Sequence, residues 1–172
     1  MSGVTTYAYV KGSPLSRVDP RGLTTIGFDP GSGLLIIDPE VPGRTPYSMP
    51  ASSGRPNCEC DSSSRDKGPI PSGNYTLFTS QLSNPNRVGD IARNLRGDWG
   101  DWRAPLVPSA STEIYGRSGF FLHGGVYPGS AGCIDYGGGL YGNSLTDQVL
   151  RDILSDPDGQ VPVHVYFPSL RM

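Results

Sequence analysis

Short alternating runs of apolar and polar residues, each closed by glycine, proline or aspartate, dominate the chain. "TTIGFD" (24–29) and "LLIID" (34–38) flank "PGSG", a pattern that predicts a β-hairpin with glycine available for positive φ. "PYSMP" (46–50) and "NYTLFTS" (74–80) read as further strands, separated by a long polar loop of turn formers, "ASSGRPNCECDSSSRDKG" (51–68). Late in the chain "GFFLH" (119–123) and "VPVHVYF" (161–167) alternate again, with Phe121 and His123 on one side of the first.

Only two stretches carry helical periodicity. A short helix is predicted near Val88–Leu95, ahead of a loop bearing Trp99 and Trp102. The better one is "SLTDQVLRDILSDPDG". Ser144 and Asp147 resemble a capping box, Leu145, Val149, Ile153 and Leu154 form one face, and Pro157 and Gly159 end it near residue 155. The expectation is a mainly β domain, a sandwich or a partly open barrel, with one α-helix over about 144–155.

Composition agrees with that reading and narrows it. A chain of 172 residues supports one domain with a real core, and its 24 Gly and 17 Pro favour strands and turns over helices. Its formal charge of -2, with no basic cluster among aromatics, argues against a nucleic-acid partner. The longest apolar run, "GLLII" (33–37), is far short of a membrane span, and the amino terminus lacks a basic-then-apolar export signal. No membrane insertion and no cofactor are expected.

The chemistry concentrates in "FFLHGGVYPGSAGCIDYG" (120–137). A thiol attacks an amide as the thiolate, so a catalytic Cys needs a base, and neutral His is the usual one near pH 7. His123 and Cys133 supply such a pair if the chain loops out after Gly124 and returns. Gly124 and Gly125 would then admit a substrate backbone, and the Gly132 and Cys133 amides would hold an oxyanion. The same residues fit equally well as a buried ring and a buried thiol in glycine-rich turns.

Three other groups compete for roles. His164 following Cys133 gives the Cys-then-His order of NlpC/P60-like amidases, although an alternating strand more often holds a structural histidine. Cys58, Cys60, Cys133 and His123 could form a Cys3His zinc site, but the C-x-C spacing and the Ser/Asp-rich loop speak against metal. A Cys58–Cys60 bridge is not expected either, since one intervening residue is too few for an ordinary disulfide. Arg117 is a candidate for a substrate carboxylate, Tyr127 and Tyr136 for the groove wall, and the two tryptophans for core packing or a lid.

Two resemblances add to this reading. "YAYVKGSPLSRVDPRGL" (7–23) is similar to the end of the Rhs-repeat core, whose Pro-x4-Asp-Pro-x-Gly-Leu junction is matched by Pro14, Asp19, Pro20, Gly22 and Leu23. That resemblance implies residues 1–23 as a shell remnant, cleavage between Leu23 and Thr24, and an effector domain over 24–172. "FLHGG" with "PGSAGCIDYG", together with "GPIPSGNYTL" (68–77), resembles the type VI secretion L,D-transpeptidase effector family. Ala131 and Asp135 depart from the residues that ordinary cell-wall L,D-transpeptidases place there.

The second resemblance implies an L,D-transpeptidase-type fold and a cysteine enzyme acting on peptidoglycan stem peptides. Cys133 would be the nucleophile and His123 the base, with substrate contacts from Gly124, Gly125, Ser130, Ala131, Arg117 and Tyr136. Together the resemblances imply an Rhs shell and type VI secretion spike as carriers, a cognate immunity protein, and action in the periplasm of a target bacterium. A rival reading is a non-enzymatic binding module attached to the Rhs shell.

Overall fold

The computed structural model describes residues 23–166 apart from 42, 85 and 86. The strand expected at "YAYV" and most of the Rhs-like junction lie outside the described residues.

Among the described residues there are eight strands and two α-helices: β1 (Thr25–Asp29), β2 (Leu34–Asp38), β3 (Tyr47–Pro50), β4 (Gly73–Phe78), α1 (Arg87–Asn94), β5 (Arg103–Pro108), β6 (Phe121–Gly125), β7 (Ile134–Gly138), α2 (Ser144–Leu154) and β8 (Gln160–Val165). They form one sheet in the order β3-β2-β1-β8-β4-β5-β6-β7. Neighbours are antiparallel except β1 with β8 and β6 with β7. Beyond β3, Ser52 bridges to Asp135 of β7, so the two edges of the sheet meet and the sheet nearly closes on itself. The expected mainly β, partly open barrel is what forms.

The β1–β2 hairpin shows how local chemistry sets an element. Asp29 accepts the Gly31 N–H at 2.8 Å and the Ser32 hydroxyl at 2.8 Å, an Asx turn that reverses the chain. Gly33, at φ +67°, completes the reversal in a region that only glycine occupies cheaply. The register then pairs Ile26 with Ile37 and Phe28 with Leu35, and all four side chains are fully buried. Val161, Val163, Tyr75, Leu77, Leu106, Leu122 and Ile134 extend that apolar interior from strand to strand.

Helix α2 closes one side, with an arrangement shifted from the sequence reading. Asn143, not Ser144, is the N-cap: its side chain accepts the Leu145 and Thr146 amides, while the Thr146 hydroxyl takes the Asn143 N–H. The buried face is Thr146, Val149, Leu150, Asp152 and Ile153, and Leu154 is exposed. Buried Asp152 on this face receives the Arg44 guanidinium and the Tyr47 hydroxyl, tying α2 to the β2–β3 connection.

Strands β5 and β7 have no counterpart in the sequence reading. β5 starts directly after Trp102 and contains two prolines, and β7 carries two glycines and an aspartate, so neither shows strand propensity. Tertiary contacts hold them instead. Trp102 is fully buried and stacks on Tyr136 with ring centroids 4.7 Å apart, its indole N–H reaches the Thr146 carbonyl, and the Tyr136 hydroxyl donates to the Trp102 carbonyl at 2.8 Å.

The long polar loop between β3 and β4 is organised by Arg117. This side chain is buried, and its guanidinium donates to the carbonyls of Ser62, Gly68 and Pro69. Each buried carbonyl left without its donor costs about 1–3 kcal/mol. Arg117→Ala is therefore expected to lower unfolding free energy by about 3 kcal/mol, measured by urea denaturation, and to open residues 61–70 to limited proteolysis.

Candidate active site

The connection from β6 to β7 decides the geometry of the site. The two strands are parallel, yet only residues 126–133 join them, where a parallel crossover ordinarily needs a dozen or more. The register pairs Leu122 with Ile134 and His123 with Asp135. Residues two apart share a face, so Phe121, His123, Cys133 and Asp135 point the same way. Asp135, and not Cys133, lies directly across from His123.

His123 is 2% exposed, and its Nδ1 lies 2.6 Å from the Gly124 carbonyl. A carbonyl only accepts, so Nδ1 carries the proton, and Nε2 of the neutral ring keeps its lone pair. Nε2 is buried and, among the described residues, has no hydrogen-bond partner. Burial lowers the pKa of the ring below its ordinary 6.5, while the Gly124 carbonyl and the Asp135 and Asp98 carboxylates push the other way. The neutral, base-competent form therefore predominates at pH 7.

Cys133 is likewise buried, and its thiol faces the Gly119 carbonyl at 3.7 Å. Burial raises its pKa above the ordinary 9.0, against the opposing influence of the Ser130 hydroxyl and the Arg117 charge. At rest the two groups are a neutral thiol and a neutral imidazole, not an ion pair. They are not hydrogen-bonded to each other, an arrangement that catalytic pairs without substrate commonly show.

Both side chains line a cleft of about 560 Å³. Its walls come from three loops: the 54–56 turn, the Asp98–Trp99 corner and the 127–131 segment. Asp98 latches two of them together, its carboxylate accepting the Val126 amide at 2.8 Å and the Tyr127 amide at 2.7 Å. Trp99 stands edge-on to His123 with centroids 5.2 Å apart and carries the Arg103 guanidinium on its face at 4.4 Å. The corner is held from behind by α1, whose inward residues are polar. Asn94 accepts the Trp99 and Gly100 amides, and Arg93 pairs with buried Asp90 and reaches the Gly100 and Asp101 carbonyls.

The sequence candidates divide cleanly by position. Ser130, Ala131 and Tyr127 line the cleft with His123 and Cys133. Gly132 sits beside Cys133 at φ +82°, and the Cys133 amide is engaged only in a long 3.4 Å turn bond to the Ser130 carbonyl. Gly124, Gly125, Arg117 and Tyr136 do not line the cleft. A Cβ on Gly124 would meet the Gly137 carbonyl at 2.5 Å and the Tyr136 ring at 2.9 Å, and one on Gly125 the Asp98 carboxylate at 2.6 Å. Those glycines make room for the protein itself. Arg117 is spent on the polar loop, and Tyr136 belongs to the core stack on Trp102.

His164 stands apart from this cleft. It is exposed on β8, its Nδ1 2.8 Å from the Asn74 side-chain oxygen, and it borders a separate groove with Thr25, Ile36 and Asp38. Strands β4 and β5 intervene between β8 and β6, so the Cys133–His164 pairing is not assembled. Cys58 and Cys60 lie side by side, Cα atoms 5.1 Å apart. Among the described residues no three His, Cys, Asp or Glu side chains come together to hold a metal ion, so the Cys3His site is not assembled. At the other end, Thr24 is buried, its amide donating to Asp156 at 2.9 Å, and Leu23 beside it is half-buried.

The sequence model of the Tlde1 domain matches residues 49–137, which include the 52–56 turn, the Asp98–Trp99 corner, His123 and Cys133. The chain belongs to the Tlde1-domain family. This is the family of type VI secretion L,D-transpeptidase effectors that the "HGG" and "PGSAGC" motifs resemble. No curated protein matches the chain by sequence.

Among solved structures, the Tlde1 domain is similar to Bd1075 of Bdellovibrio bacteriovorus, with 16% identity and a TM-score of 0.52 over 85% of this chain and 48% of that one. A more distant similarity is to L,D-transpeptidase 1 of Mycobacterium tuberculosis, with 14% identity and a TM-score of 0.43 over 85% of this chain and 62% of that one. The chain thus spans about half the length of the Bdellovibrio protein, and the likeness is one of fold.

The protonation states make a direct prediction. Iodoacetamide should label Cys133 slowly at pH 7, with a rate that inflects above pH 9.0, read by mass spectrometry of the Cys133 peptide. Inflection near neutral pH would mean a resting thiolate–imidazolium pair instead.

Proposed function

We propose that this Tlde1 domain is an antibacterial effector enzyme that attacks peptidoglycan tetrapeptide stems through a Cys133 thioester. The observation that carries the reading is the His123 ring, locked by the Gly124 carbonyl with a bare Nε2 in the same cleft as the Cys133 thiol. As the sulfur attacks the carbonyl of the diaminopimelate–D-alanine bond, Nε2 takes the thiol proton. The imidazolium so formed faces Asp135 across the strand pair, and that carboxylate stabilises it.

The Gly132 and Cys133 amides hold the oxyanion, and D-alanine departs with the proton from His123. Water then releases the thioester as a tripeptide stem, the carboxypeptidase outcome, or a D-amino acid amine replaces it, the exchange outcome. Either result removes a donor for cross-linking. Because attack and proton transfer are coupled, no prior thiolate is required, consistent with the buried, neutral resting pair.

The same proposal places the enzyme in the periplasm of a target bacterium, carried by a type VI secretion spike and Rhs shell and restrained in the producer by an immunity protein. The Pro14-to-Leu23 junction supports the Rhs carrier, with cleavage before Thr24.

Incubation with purified muropeptides is expected to yield loss of a terminal D-alanine or its exchange, read by mass spectrometry. Cys133→Ala should abolish this and His123→Gln should reduce kcat/KM by about 10²–10⁴-fold, whereas His164→Ala should leave it near wild type. On the acid side, kcat/KM should fall with a midpoint below 6.5, as protonation removes the Nε2 lone pair. Cleavage elsewhere in the stem, or full activity in Cys133→Ala, would overturn the reading.

A further inference from the structure

With Arg117 withdrawn into the polar loop, the charge that meets the substrate must come from elsewhere. Among the described residues, three charged side chains line the cleft: Asp98, Asp135 and Arg55. Both acids are already committed. Asp98 accepts from Val126 and Tyr127, and Asp135 accepts the Gly129 amide at 3.1 Å and the Gly137 amide at 2.8 Å.

Arg55 is committed only at its root. Its amide donates to the Lys67 carbonyl at 2.8 Å and its Nε to the Asp66 carbonyl at 2.8 Å, which fixes the plane of the guanidinium. Among the described residues, its two outer nitrogens have no partner. Arg55 is also held beside the nucleophile. The preceding Gly54 amide donates to the Ser130 carbonyl at 2.9 Å, three residues before Cys133, and a Cβ on Gly129 would meet Pro56 at 2.7 Å.

A planar, oriented guanidinium with its outer edge free beside a cysteine cleft suits a planar anion, bound through two parallel hydrogen bonds. We propose that Arg55 receives the free carboxylate of the terminal D-amino acid of the stem peptide. This inference rests on the stem-peptide reading above and deepens it. Arg55 thereby makes the enzyme selective for stems that end in a free carboxylate at the residue leaving the thioester site, over stems whose terminal carboxyl is blocked by an amide.

The test uses two synthetic tetrapeptide stems, L-Ala-γ-D-Glu-diaminopimelate-D-Ala with a free terminal carboxylate and the same peptide as its terminal amide. The wild-type protein should process the free acid with kcat/KM at least about tenfold above the amide. Arg55→Ala should bring the free acid down to the amide level, so that the ratio between the two peptides falls to about one, and a urea denaturation profile like that of the wild type shows that the variant is folded. Arg55→Lys, which keeps the charge and loses the fork, should fall between.

Equal losses on both peptides, or no loss on either, would overturn the role of Arg55 while leaving the stem-peptide reading standing. Failure of the wild-type protein to process either peptide would overturn both.

Discussion

The pair of backbone hydrogen bonds between Ser52 and Asp135 is the constraint on which the arrangement of this domain depends. The Ser52 amide donates to the Asp135 carbonyl at 2.8 Å, and the Asp135 amide returns the bond to Ser52 at 2.9 Å. They join the two edges of an eight-stranded sheet whose edge strands lie far apart in sequence. An unpaired edge is a liability, and closure removes it. The same two bonds set the 54–56 turn against the Cys133 loop, so sheet closure and assembly of the cleft are one event.

From that closure follows a site in which most polar groups are spent on holding backbone. Asp98, Asp135, Asn94, Arg93 and Arg117 each bond main-chain groups of loops around the cleft or behind it. Loops expose donors and acceptors that must be paired when buried, and in so glycine-rich a region side chains do the pairing that a sheet ladder would otherwise do. The groups the cleft offers for chemistry are the Nε2 lone pair of His123, the thiol of Cys133 and the outer edge of Arg55. Burial keeps the first two neutral, which suits a reaction where proton transfer accompanies attack.

The Arg117 clamp stabilises a loop that would otherwise be too polar to order. Residues 51–68 contribute few apolar side chains to the core, so their conformational entropy is offset by the three carbonyls on Arg117 and by strapping to the 130–135 segment. Arg117 could be mistaken for a substrate ligand because a lone arginine near a catalytic motif looks the same in sequence whichever way it turns. Its burial among carbonyls is a property of the fold.

Local pattern alone determined the strands with clear alternation, β1, β2, β3, β4, β6 and β8, the helix over 144–154, and the candidate pair His123 and Cys133. These are legible because period-2 burial, turn chemistry and caps act between near neighbours. Strands β5 and β7 were not, since Trp102, Tyr136 and the sheet edge override the weak propensity of proline and glycine. Tertiary structure also decided that Asp135 faces His123, that the Gly124 carbonyl sets its tautomer, that Trp99 and Asp98 wall the cleft, and that Arg55 rather than Arg117 offers it a cation. Each depends on which distant segments pair across the closing sheet, and no local spacing encodes that register.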